Sequence, residues 1–227
     1  MWFRYDLRLE DNKALFTASQ DSSCLPIFII DDGFLGLNTT SDFHLSFLND
    51  SLIDLDKNLK KKFNTKLNLY KGNTTEVLKH LIGKFKITNI YSHKIFKGTY
   101  FSMLDNDVDS LMKEKRVNWI QKNQFGVQLE KRIRGKWSSH WHKFTSSPLC
   151  GPISKYNFFD DNESNSIKLS FSVNNCQKGG ENSALSCLSS FLIDRHKNYS
   201  KKMSSPLTAE DSCSRLSPHL SFGTISI

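Results

Sequence analysis

The sequence contains no apolar run of the roughly 18 to 20 residues that a membrane-spanning helix needs. Its first residues, Met1 to Arg4, also lack the basic and then apolar layout of a secretory signal. We therefore expect a cytoplasmic protein that contacts no membrane.

Cysteine is scarce, with 5 cysteines in 227 residues and no C-x-x-C pair. This odd and scattered set argues against a disulfide framework and against a zinc or iron–sulfur site. His140 and His142 lie two residues apart without a nearby third ligand, so we assign no metal-ligating residue. The chain also lacks a Walker loop, a G-x-S-x-G elbow and a pair of catalytic carboxylates, and we assign no catalytic residue.

The chain carries 31 Lys and Arg against 23 Asp and Glu, a net charge of +8, which weakly favours a polyanionic partner such as nucleic acid. Basic and aromatic residues are interleaved from Lys131 to Phe144, and Trp137 and Trp141 share one face of a helix because they are four residues apart. Two readings stay open. The segment binds phosphates and stacks bases, or its aromatic face packs on the preceding domain.

Short apolar runs alternate with helical patterns over the first 120 residues. The pattern predicts an α/β fold, a Rossmann-like five-stranded parallel sheet with helices on both faces. The predicted strands cover residues 2–3, 24–30, 66–70, 87–91 and 117–120, and the predicted helices cover 43–59, 75–85 and 100–113. The residues predicted to face inward on these helices are Phe43, Phe47, Leu48, Leu52, Leu55, Leu59, Val77, Leu78, Leu81, Ile82, Met103, Leu104, Val108, Leu111 and Met112.

The first strand is short, and we expect its true start upstream of Met1, since a central parallel strand usually has about five residues. We predict an α/β domain over residues 1–121, a linker over 122–176 and the truncated start of an all-helical domain over 177–227. The acidic residues 160–166 are typical of an exposed linker. A helix that begins at Glu181 is expected to bury one face, formed by Ala184, Leu185, Leu188, Phe191 and Leu192.

The opening segment places charged residues after the first strand. Arg4, Asp6 and Arg8 can pair with one another at the carboxyl edge of the sheet, and Asp11 is the expected N-cap of the next helix. A structural salt-bridge loop explains this pattern equally well. As a string, however, residues 2–15 meet every fixed position of W-F-R-x-D-L-R-L-x-D-N-x-A-L, and so resemble the opening of the photolyase/cryptochrome family.

A second string near the other end resembles the entry into that family's flavin domain. It runs through Gly179-Gly180-Glu181, Ala184-Leu185, Phe191-Leu192, Arg195, Tyr199 and Ser204-Ser205-Pro206 to Ser214-Arg215-Leu216-Ser217-Pro218 and Gly223. Ser217 is the expected N-cap and Pro218 the first helical residue, so free amides at this turn can bind a diphosphate. An ordinary capped helix is the alternative.

The resemblance implies an FAD cofactor, and it carries cofactor contacts over to Tyr199, Cys213, Ser214, Arg215, Leu216 and Ser217. The family often has threonine at position 213, so Cys213 is left with a backbone contact. The resemblance also implies an antenna pigment, either a folate or a deazaflavin, in the first domain. The expected partner of the full-length parent is damaged DNA, and we expect a monomer.

The implied function is that of a deoxyribodipyrimidine photo-lyase, which repairs pyrimidine dimers in DNA with light. We expect the chain at this length to be inactive and residues 177–227 to be loosely held. Two alternatives remain, a cryptochrome-like blue-light photoreceptor and a stand-alone module that binds an antenna pigment or a nucleotide.

Overall fold

The computed structural model describes residues 1–21, 23–126, 134–164, 173–174 and 176–227. Lys131 to Ile133 of the basic stretch, and Asn165 and Ser166 of the acidic stretch, lie outside the described residues. The elements up to residue 122 are β1 (Trp2–Phe3), α1 (Lys13–Ala18), β2 (Ile27–Asp31), α2 (Asp32–Leu35), α3 (Asp42–Phe63), β3 (Asn68–Gly72), α4 (Thr74–Phe85), β4 (Asn89–His93), α5 (Gly98–Lys115) and β5 (Asn118–Lys122).

All five predicted strands are present and all their pairings are parallel, but they form two hydrogen-bonded sheets. One has the order β1-β2-β3 and the other pairs β4 with β5. Because β1 has only two residues, it pairs with β2 through Trp2 and Phe3 and forms no ladder with β4 within the described residues. The prediction of one continuous sheet is corrected in this respect, while the α/β class is confirmed.

Helices cover both faces of the strands, as predicted. Alternate residues of β2 point to opposite faces, so Phe28 and Ile30 pack with the α1 and α3 side, whereas Ile27 and Ile29 pack with the α4 and α5 side. The near-continuous apolar sequence of β2 follows from this burial on both faces.

Two residues on the predicted inward faces are exposed. Phe43 lies in the first turn of α3 and is 56% exposed, and Met103 of α5 is 62% exposed. Helical periodicity identifies a face, but the neighbouring layer does not cover every turn of these two helices.

The described part of the acidic stretch is exposed only in part, since Asp161 and Ser164 are buried while Asp160, Asn162 and Glu163 are exposed. Asp161 is 4% exposed, and its carboxylate accepts hydrogen bonds from the Tyr70 hydroxyl at 2.8 Å and the Lys84 ammonium at 2.9 Å. The carboxylate of Asp160 accepts a hydrogen bond from the Thr65 hydroxyl at 2.7 Å. Asp160 and Asp161 therefore hold this segment against β3 and α4 and the residues just before β3.

The remaining described elements are helical. They are a 3-10 turn (Arg134–Lys136), α6 (Trp137–Thr145), α7 (Glu181–Ile193), a second 3-10 turn (Arg195–Asn198), α8 (Tyr199–Lys202), α9 (Pro206–Ala209) and α10 (Ser217–Phe222). None of the helices in the described ranges has both the length and the apolar character to cross a membrane.

Candidate functional site

A buried carboxylate and histidine join the loop after β1 to the end of β4. The Asp6 carboxylate lies 2.7 Å from His93 Nδ1, and both side chains are almost completely inaccessible to solvent. Burial alone would raise the pKa of Asp6. The hydrogen bond and charge of His93, together with the Arg4 amide, have a larger combined effect in the opposite direction, so the pKa lies below its ordinary value. This contact links β1 and β4, which share no backbone ladder.

The side chains of Arg4, Asp6 and Arg8 form no ion pair with one another, contrary to the expectation, although the Arg4 backbone amide donates to the Asp6 carboxylate at 2.7 Å. Arg4 forms an ion pair with Asp105 of α5, and its guanidinium lies 4.5 Å from the centre of the Trp2 ring. Arg8 is 3% exposed and donates to backbone carbonyls, including Gly223 O at 2.9 Å. Each charge therefore ties the loop to a different distant element.

The N-cap of α1 is Asn12 and not Asp11. The Asn12 side-chain oxygen accepts the Leu15 amide at 2.9 Å, and its amide group donates to the carbonyls of Asp6 and Arg8. Asp11 takes a positive φ of 47°, and its carboxylate accepts the Cys150 amide at 2.7 Å. The Asp11 carboxylate thus binds a residue outside the helix, and the side chain of Asn12 caps α1 instead.

The start of α7 docks on the same opening loop. The buried Glu181 carboxylate accepts hydrogen bonds from the amides of Leu9 and Glu10, both at 3.0 Å. Burial raises the pKa of Glu181 against the lowering effect of these two donors. A Cβ at Gly179 would collide with the Phe47 carbonyl oxygen of α3, and Gly180 has a φ of 100°. The glycines therefore allow the two backbones to approach each other.

The end of α10 docks on the first domain as well. Phe222 is 5% exposed and packs against the rings of Phe47 and Tyr5, at centroid distances of 5.1 and 5.5 Å. A Cβ at Gly223, which has a φ of 66°, would collide with the Tyr5 carbonyl oxygen. Phe222 therefore has its packing partners in the α/β layers.

Lys97 lies at the same contact. Its ammonium is 3.6 Å from the centre of the Tyr5 ring and donates to the Ser221 hydroxyl at 2.7 Å. Burial lowers the pKa of Lys97 to about 7. The ring face opposes this shift because it favours the charged form.

The candidate cofactor loop, residues 212–217, precedes α10. Its carbonyls point toward α7 and the chain next to it: Arg195 donates to the carbonyls of Cys213 and Ser214, and Gln177 donates to that of Arg215 at 2.8 Å. The amides of Ser212 and Cys213 donate to the Ala209 carbonyl, and the Leu216 amide donates to the Ser214 hydroxyl at 3.5 Å.

The amides of Ser214, Arg215 and Ser217 make no hydrogen bond to another of the described residues. Arg215 has a left-handed φ of 58° and Leu216 is right-handed, an alternation that turns successive amides toward one concave site. The N-cap of α10 is Leu216, which makes no side-chain cap bond, and the helix begins at Ser217. The prediction of Ser217 as N-cap is therefore one residue too late. Free amides of this kind fit a diphosphate group.

Tyr199 lies apart from this loop in its recorded contacts. It is 40% exposed and packs edge-on against Phe191 of α7, with ring centroids 6.0 Å apart. Arg195, four residues earlier, bridges α7 to the loop, and the Cys187 thiol of α7 also donates to the Ser214 carbonyl. On the predicted inward face of α7, Ala184 is buried, Leu188 and Phe191 are half-buried, and Leu185 and Leu192 are exposed.

Sequence reasoning missed the roles of His93, Arg195, Gln177 and Lys97. Arg195 stood in the second string, so its position was visible although its contacts were not. His93 meets Asp6 across 87 positions of sequence. The sequence could have suggested the Asp6–His93 pair only if β1 and β4 had been predicted to lie side by side in a parallel sheet.

Comparison with known proteins agrees with this arrangement. The family model described as DNA photolyase matches residues 1–125. Cryptochrome-1 of Aedes aegypti is 33% identical over 97 residues, and the (6-4)DNA photolyase of Arabidopsis thaliana is 34% identical over 100 residues. Each match covers 40% of this chain and 18% of the relative.

The similarity in structure extends over the whole chain. The archaeal photolyase from Sulfolobus tokodaii, whose crystal structure contains two FAD molecules, superposes with a TM-score of 0.78 at 26% identity. The alignment covers 99% of this chain and 52% of the archaeal one, so the chain spans about half of that photolyase. With a family model matched over more than half of its length, the chain belongs to the DNA photolyase family.

Proposed function

We propose that this chain is the amino-terminal part of a deoxyribodipyrimidine photo-lyase, a flavoprotein that repairs pyrimidine dimers in DNA with light. The observation that carries the proposal is membership of the DNA photolyase family together with the free amides of Ser214, Arg215 and Ser217. The similarity to an archaeal photolyase that contains FAD supports the same cofactor here.

The residues proposed to hold FAD are Tyr199, Cys213, Ser214, Arg215, Leu216 and Ser217. The amides of Ser214, Arg215 and Ser217 would donate to the diphosphate, and the Arg215 guanidinium, which is one-third exposed and paired with Glu210, adds a positive charge nearby. Cys213 stays in this set by its place in the second string alone, because its amide already donates to the Ala209 carbonyl at 2.8 Å and its carbonyl accepts from Arg195. FAD, when bound, supplies light absorption and electron transfer, and the protein holds and orients it.

A competition experiment tests the diphosphate contact. The chain is titrated with FAD by flavin fluorescence, and ADP and riboflavin are added as competitors. We expect ADP to compete and riboflavin to have much less effect, because the free amides of Ser214, Arg215 and Ser217 reach the diphosphate and Tyr199 is the one residue proposed to contact the flavin. Competition by riboflavin alone would contradict the assignment.

A pair of matched variants sharpens that test. Arg215→Gly keeps the left-handed backbone but removes the guanidinium, and we expect it to weaken FAD binding about threefold to tenfold. Arg116→Gly is the control, since Arg116 also has a positive φ, of 55°, at the end of α5. An equal effect of both substitutions would show that Arg215 has no special role.

Repair itself is tested on an oligonucleotide that contains a cyclobutane dimer, with the whole polypeptide produced from the gene, added FAD and a reductant. Loss of the dimer under blue light and not in darkness supports the proposal. A flavin-loaded protein that leaves the dimer intact favours the second candidate.

That second candidate is a cryptochrome-like photoreceptor. Cryptochromes from insects, plants and vertebrates are among the relatives that match this chain at 27–36% identity. Both roles would use the same cofactor loop.

No residue is assigned to an antenna pigment. The cavity at the carboxyl ends of β1 and β2, lined by Tyr5, Asp31 and Phe34 among others, has a volume of about 50 Å³. Ligand pockets usually have roughly 300–1,000 Å³. The cavity therefore does not fit a folate or a deazaflavin in this conformation. The domain limits at residues 121 and 176, the monomeric state and the cytoplasmic location stay predictions.

A further inference from the structure

Helix α6 carries an exposed pair of stacked tryptophans. The rings of Trp137 and Trp141 are nearly parallel, 7° apart, with centroids separated by 5.9 Å. Trp137 is 56% exposed, and no residue of this helix is buried. The alternative in which this aromatic face packs on the first domain therefore fails for Trp137.

The inner part of the pair is anchored. A Cβ at Gly126, just after β5, would lie 2.9 Å from Trp141 and 3.1 Å from Phe144, so both rings rest on the backbone there. Trp141 in turn supports Trp137. The outer ring is thus held in place while it stays open to solvent, which lowers the entropy cost of binding a flat partner.

The surroundings of the pair are basic. Residues 134–147 include Lys136, Lys143, His140 and His142 and no acidic residue. In the described part of the chain, neither Lys136 nor Lys143 forms an ion pair. His140 lies three residues after Trp137 and four before Phe144, on the same side of the helix.

We propose that the tryptophan face, defined as Trp137 and Trp141 with the adjoining helix side of Lys136, His140 and Lys143, binds single-stranded nucleic acid. An unpaired base would stack on the open ring of Trp137, and Lys136 and Lys143, which are seven residues apart on one side of the helix, would contact phosphates beside it. Rings accept every base, so this binding has little sequence preference. The proposal does not rest on the flavin site, because it requires neither FAD nor light.

The chemistry of the face favours nucleic acid over a protein partner. Its apolar area is confined to aromatic rings, and the neighbouring exposed residues are Ser138, Ser139 and His142. Lysine is depleted in the cores of protein interfaces, whereas unpaired lysines beside aromatic rings are typical of surfaces that follow a single strand.

The test measures binding of fluorescein-labelled oligothymidylate to the full chain by anisotropy, with quenching of tryptophan fluorescence as a second signal. We expect Trp137→Ala to weaken binding about tenfold and to reduce the quenching. Phe43→Ala is the matched control, because Phe43 is an aromatic residue with the same 56% exposure on α3. It should bind as the parent chain does.

A second pair of variants tests the phosphate contact. Lys143→Gln should reduce the slope of log K against log salt by about 0.7, the value expected for one phosphate contact with a single strand. Lys61→Gln on α3 should leave the slope unchanged. Unaltered affinity and quenching in Trp137→Ala would overturn the proposal, as would self-association of the chain that this substitution abolishes while oligonucleotide binding persists.

Discussion

The two ends of the segment from residue 177 to 227 are held differently from its middle. At the ends, Ala184 is fully buried and Phe222 is 5% exposed, and both regions contact the opening loop of the first domain. In the middle, Ile193 and Leu207 are 72% and 91% exposed. Firm packing in this segment therefore depends on the first domain and not on contacts among its own helices.

The docked ends and the candidate cofactor loop of this segment have different roles. The docked ends use contacts that tolerate little change, namely two glycine positions against carbonyl oxygens and one carboxylate on two amides. The candidate cofactor loop lies between them, with its carbonyls bonded and three amides free. Substitutions in the opening loop and at the docked ends should therefore cost much more stability than those in the exposed middle.

The largest effect is expected at the buried pair of the opening loop. His93→Ala removes the partner of the Asp6 carboxylate, which is left with its charge buried, and should lower the free energy of unfolding by about 4 kcal/mol. Urea denaturation measures this loss. His80→Ala in α4 is the control, because His80 is exposed, and should stay within about 0.5 kcal/mol.

The same pair sets a pH dependence. Since the pKa of Asp6 is lower in the folded state, its contribution is present above the unfolded value, about 4, and is lost as the pH falls below it. Stability of Asp6→Asn should change less over that acid range. Identical acid limbs for the parent chain and this variant would show that another carboxylate controls the transition.

The next effect is expected at Gly223. Gly223→Ala adds a Cβ that collides with the Tyr5 carbonyl oxygen at a left-handed φ, and should cost about 3 kcal/mol. Its local signature is faster hydrogen exchange at the Leu7 amide, which donates to Phe222 O at 3.3 Å. Gly83→Ala, in the interior of α4 with open space around it, should instead stabilise by about 0.5–1 kcal/mol. If both substitutions act alike, the close approach at Gly223 is not what docks α10.

The sequence predicted the layers of the fold because its apolar spacing records local burial. The helices α3, α4 and α5 and the strands they connect lie within a few residues of their predicted limits, and the sheet is covered on both faces. Exposed residues such as Phe43 and Met103 were misassigned because periodicity does not show where a neighbouring layer ends.

The candidate site was predictable in position but not in contacts. The two family strings identified the cofactor loop and Gly179-Gly180-Glu181, yet Arg4, Asp6 and Arg8 each also contact a residue 87 to 215 positions away. A local string contains no information about such partners. Asp11 illustrates the same limit, since it meets Cys150 while Asn12 caps α1.

The smallest effect is expected in the exposed middle. Leu207 of α9 is 91% exposed, so its side chain gains little from burial and Leu207→Ser should change the free energy of unfolding by less than about 0.5 kcal/mol. Ala184→Ser is the informative counterpart, because Ala184 is fully buried and a hydroxyl there must find a partner. Urea midpoints of the two serine variants give the comparison directly. If Leu207→Ser is as costly as Ala184→Ser, Leu207 makes stabilising contacts in solution, and the contrast between docked ends and open middle does not hold.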